Sequence, residues 1–72
     1  MSESKNQAFT GIFKVMQTDA MEVMDRIDMA AVDMAEGRRN GAIGALSGVD
    51  EMLERLAAMV TAVRAMNRVM PQ

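Results

Sequence analysis

The sequence predicts an all-α protein: an antiparallel helical hairpin of two long helices, dimerising into a four-helix bundle. Three observations carry this reading. Good helix formers dominate, strand-favouring runs are absent, and the one proline, Pro71, stands next to last, where it interrupts nothing. Apolar residues recur at alternating spacings of three and four along two separate stretches, the signature of helices that meet along a seam. Between the stretches lies a five-residue segment, Gly37-Arg38-Arg39-Asn40-Gly41, short enough to force antiparallel neighbours.

Residues 1–7 are polar and are expected to form a disordered N-terminal tail. No apolar run follows them, so a cleaved signal peptide is not expected. The first helix is expected over about 8–36, with its seam at Phe9, Phe13, Met16, Ala20, Val23, Ile27, Ala30 and Met34. Gly37 can take the left-handed conformation that ends it, and Asn40 is expected to cap the next helix. The second helix is expected over about 42–70. Its seam runs through Leu46, Val49, Leu53, Leu56, Val60, Val63, Asn67 and Met70. Gly41, Gly44 and Gly48 each cost about 1 kcal/mol inside a helix relative to Ala. The expectation is a continuous helix with a weak or bent first part. The alternative is a break near 47–48, with Ser47 as cap and Asp50 and Glu51 in the first turn, where the helix dipole favours acids.

A hairpin of two such helices covers each helix on one side only, and a single core of this size supplies no more than about 3–5 kcal/mol. Apolar residues also lie beyond the seams, at Ile12, Met24 and Ala31 on the first helix and at Met52, Met59 and Met66 on the second. That width suits a bundle core. Two hairpins related by a two-fold axis are the simplest closure. The contacts between copies are expected from Phe9, Phe13, Met16, Val23 and Ile27 on the first helix, and from Met52, Leu56, Met59, Val63, Met66 and Asn67 on the second. Asn67, a polar residue in an apolar seam, either sets register or simply reaches water in a frayed last turn. The plan is similar to that of the small plasmid-encoded RNA-binding hairpin dimers, but no residue motif is shared with them and no function follows from it.

Composition removes whole classes of chemistry. The 72 residues include no Cys and no His, so thiol nucleophiles, zinc ribbons, iron–sulfur clusters and imidazole bases are all unavailable. No Ser or Thr has a base to activate it. No catalytic, cofactor-binding or metal-binding residue is therefore assigned, and no cofactor is expected. No apolar run exceeds four residues (Ala57 to Val60), so no segment spans a bilayer. A cytoplasmic location is expected, with signal-less export left open. Residues 1–36 carry three bases against seven acids, a net charge of −4; residues 37–72 carry five Arg against three acids, a net +2. This reads as an acidic helix beside a basic one. Five scattered Arg without aromatics between them do not make a nucleic-acid stripe.

The ten Met residues are the outlier. Met packs adaptably and serves surfaces that grip varied apolar partners. Met52, Met59 and Met66, spaced by seven, read as core filler. Val15, Met21, Met29 and Val32 fall on the outward side of the first helix and are the expected partner-binding residues. Thioether pairs such as Met21 with Met24, or Met66 with Met70, have the softness for Cu(I) but lack the His or Cys that usually accompanies them. Asp19, Glu22, Asp25 and Asp28 spiral along the first helix as a solvated acidic face, able to attract Arg55 or Arg64. Arg38 and Arg39 mark the turn tip. The combined expectation is a non-enzymatic helical interaction protein (adaptor, small chaperone or regulator) that acts as a homodimer and binds another protein through a Met-rich surface. The alternative is a structural subunit that assembles with its own copies, as needle or phage subunits do. A Rop-like nucleic-acid binder stands third.

Overall fold

The computed structural model describes residues 2–69, which form α1 (Ser2–Ala35), α2 (Arg39–Ala45) and α3 (Val49–Val69). Met70 of the expected second seam, with its pairing to Met66, lies outside these residues, as do Met1 and Pro71. The helices form a hairpin: α1 runs out along its whole length, and α2 and α3 return beside it. At 1.5 Å per residue, α1 is about 51 Å long, and it sets the length of a rod measuring 54 × 17 × 13 Å.

The N-terminal segment is helical, in place of the disordered tail that its polarity predicts. Nothing between Ser2 and Gln7 breaks a helix, Glu3 stands in the first turn, where the dipole favours an acid, and the side chain of Lys5 is buried with its Nζ 5.8 Å from the Phe9 ring centroid. At the other end of α1, Gly37 adopts φ +79°. The Arg38 N–H donates to the Asp33 carbonyl at 2.8 Å and the Gly37 N–H to the Met34 carbonyl at 3.0 Å. These are the two bonds of a Schellman end, which satisfies carbonyls the helix leaves open. Asn40 does not cap α2. Arg38 holds the cap position without a side-chain bond, because a guanidinium only donates and cannot accept from the backbone N–H groups there; it pairs instead with Asp33 and Glu36.

The return limb is broken where the alternative reading puts the break. Gly48 has φ +82°, a conformation that costs a residue with a side chain about 1–2 kcal/mol, and α3 starts anew at Val49 with Asp50 and Glu51 in its first turn. Ser47 does not cap it; the Gly48 carbonyl accepts the first bond, from Met52 N–H at 3.1 Å. Arg26 stabilises the break from across the hairpin. Its guanidinium donates to the Ser47 carbonyl at 3.0 Å and lies 3.5 Å from that of Ala45, while Nε holds Glu22 at 3.1 Å.

The seam between the limbs differs from the expected one by a roll of the helices. On α1 the least exposed residues are Lys5, Phe9, Ile12, Met16, Asp19, Val23, Arg26, Ala30 and Asp33; the return limb's side of the seam includes Ala42, Ala45, Val49, Met52, Leu56, Met59, Val63 and Met66. The central rows are as expected. The row Phe13, Ala20, Ile27 and Met34, expected inside, is exposed, and so are Leu46, Leu53, Val60 and Asn67 on the return limb. Polar residues explain the roll. Asp19 can meet Arg55 and Arg26 can reach the carbonyls at the break only if the row Ile12-Asp19-Arg26-Asp33 turns inward. The unbranched Met52, Met59 and Met66 fill the gap opposite.

Candidate interaction surface

The polar side of the hairpin is fastened by one two-pronged ion pair. Arg55 donates from Nε to Asp19 Oδ2 at 2.8 Å and from its terminal nitrogen to Oδ1 at 3.0 Å, a fork that fixes orientation as well as distance. These bonds hold the Asp19 carboxyl below the usual carboxylate range, although its partial burial pulls the other way. At the turn, Arg38 donates to Asp33 at 2.6 Å and pairs with Glu36. This tip presents Arg39 beside an already neutralised Arg38.

The opposite side is apolar and open. Phe13 and Ala20 stand three before and four after the central Met16; Leu53 and Val60 stand three before and four after Leu56. In an antiparallel pair, rows so related fall on the same side of both helices. One open groove is lined together by Phe13, Met16, Ala20 and Leu56, with the polar Thr10, Lys14 and Gln17 along it. Phe13, Ile27, Met34 and Leu53 are each about half exposed, and Val60 and Leu46 about two-fifths. The hairpin itself buries only Val23, Ala42 and Val49 among its described apolar residues, and no large side chain fully.

The residues expected at contacts between copies therefore divide. Phe9, Met16, Val23, Met52, Leu56, Met59, Val63 and Met66 sit in the hairpin's own seam, whereas Phe13, Ile27 and Asn67 are on the open side. Ala20, Met34, Leu46, Leu53 and Val60, which the spacing places inside, join that side. The polar row at Asp19, Arg26 and Asp33, spaced by seven and matched by Arg55, is the signal for this. The expected partner residues Val15, Met21, Met29 and Val32 are all more than half exposed. Met29 and Val32 share a shallow apolar hollow rimmed by Asp28 and Asp33. They stand on the side of α1 away from the return limb, so two separate apolar surfaces exist.

Comparison with protein-family models, with curated proteins and with solved structures yields no match. Among the described residues, no group of three or more acids is placed to hold a metal ion, and no helix is long and apolar enough to cross a membrane.

Proposed function

We propose that this chain is a non-enzymatic interaction protein whose working form is a homodimeric four-helix bundle, closed through the open apolar side of the hairpin. One observation carries the proposal: an apolar face, with Phe13, Ile27 and Met34 on one limb and Leu53 and Val60 on the other, lies uncovered while the hairpin's interior is almost empty of buried side chains. The surface area supports it. The chain exposes 5381 Å², whereas a globular monomer of 7.9 kDa exposes about 4400 Å². The excess is comparable to the roughly 800 Å² that each partner gives to a standard interface. A dimer so formed turns Val15, Met21, Met29 and Val32 outward, as a Met-rich surface for another protein with an apolar stripe. The acids beside them, Asp25 and Asp28, suit a partner with basic flanks.

Absolute mass by light scattering across a hundredfold concentration range tests this. A constant mass of twice the chain is expected, and the mass of a single chain throughout overturns the proposal. The second reading, a self-assembling structural subunit, draws on the presence of two apolar surfaces on different sides of one rod. A mass that climbs steadily with concentration puts it first. Met21→Gln with Met29→Gln then separates the roles: the dimer mass should be unchanged, and binding of a partner through this strip should be lost.

A further inference from the structure

Resting on the dimer proposed above, we infer how the second copy lies: the two rods cross-pair like with like, α1 on α1 and α3 on α3, each pair antiparallel about a two-fold axis at the height of Ala57 and Gln17. The height follows from the hairpin's own register. Asp19 meets Arg55, and Arg26 meets the Ser47 carbonyl, so Gln17 stands level with Ala57.

Two independent rows centre on that height. At the rim of the open face, on α3, Asp50, Ala57 and Arg64 follow at seven-residue intervals and are all exposed. Asp50 and Arg64 make no ion pair within the described residues. They carry opposite charges at equal distances from Ala57, so a two-fold axis there sets Asp50 of each copy against Arg64 of the other, twice. On α1, the same axis lies midway between Phe13 and Ala20. It sets the largest residue of the open face over the smallest, again twice, as interdigitated layers require. Leu53 and Val60 likewise exchange places. The axis lies close to the middle of α1, so the two 54 Å rods overlap along most of their length. The other closed arrangement, with the axis along the rods, puts α1 over α3 of the second copy. It leaves Asp50 over Met24 and Arg64 over Thr10, with both charges unmatched.

The chain has no Cys, so single cysteines report the arrangement directly. Ala57→Cys is expected to crosslink with itself on mild oxidation, giving a covalent dimer of the full chain. The other arrangement yields little self-crosslinking and instead a product only when Ala57→Cys and Gln17→Cys proteins are mixed; that result overturns the inference while leaving the dimer intact. An unmodified chain that stays monomeric overturns the dimer itself. Charge reversal is a second readout. Arg64→Asp or Asp50→Arg alone should raise the dimer dissociation constant about tenfold at low salt, and the double reversal should restore it; failure of the double variant to recover, with helicity intact, also overturns the pairing.

Discussion

At the scale of single residues, the Asp19–Arg55 fork ties the two limbs together by side chains that sequence spacing alone places on a solvated face. Because the Asp19 carboxyl titrates below its usual range in the folded chain, its contribution is complete above the unfolded value of about 3.9 and is lost as pH falls through the lower, folded value. The stability advantage of the native chain over Asp19→Asn should therefore be level between about pH 5 and 8 and shrink below about pH 4, as thermal melts at stepped pH will show. Glycines give a second contrast. Gly48 lies at φ +82°, so Gly48→Ala should destabilise by about 1 kcal/mol. Gly11 stands inside α1, and a methyl group added there would meet only open space, so Gly11→Ala should stabilise by about 0.5–1 kcal/mol. Melts at one fixed concentration compare the two.

At the scale of elements, α2 is a seven-residue helix whose one buried residue is Ala42, so it draws little stability from itself. Arg26 supplies a tie from α1 by donating to the carbonyls left open at the break. Arg26→Ala should cost about 1 kcal/mol, and hydrogen exchange of the amides at 46–49 should accelerate more than that of α3. How far the fold is legible in the sequence is clearest here. The central rows at Phe9, Met16, Val23 and Ala30, and at Val49, Leu56 and Val63, follow from a strict seven-residue repeat. The end of α1 follows from Gly37, and the break from the cluster of glycines. The roll of the seam is hidden because the row Phe13-Ala20-Ile27-Met34 is more apolar than Ile12-Asp19-Arg26-Asp33. Pattern alone sends the greasier row inside. The chain instead turns inward the row that can make ion pairs, and leaves the greasier one exposed. Asn40 misleads for a related reason: its cap position is already held by Arg38, tethered to Asp33.

At the scale of the whole molecule, a radius of gyration of 16.6 Å stands well above the about 11 Å of a globular chain of this length. So slender a rod has little interior of its own: among the described apolar residues only Val23, Ala42 and Val49 are buried. If the bundle closes as proposed, folding and association are one equilibrium, and the thermal midpoint should rise with protein concentration. An unchanged midpoint over a hundredfold range excludes that coupling.

The division of methionines between the seam and the surface has a chemical consequence. A thioether in contact with solvent takes up oxygen from dilute peroxide more readily than one packed against neighbours. Met21, Met24, Met29 and Met34 are each more than half exposed, while Met16, Met52, Met59 and Met66 are partly covered by the hairpin. The protein thereby carries its own footprint: on a single chain sulfoxide should accumulate first at the former four, and a partner or a second copy seated on either surface should leave its outline as the thioethers that stay unoxidised.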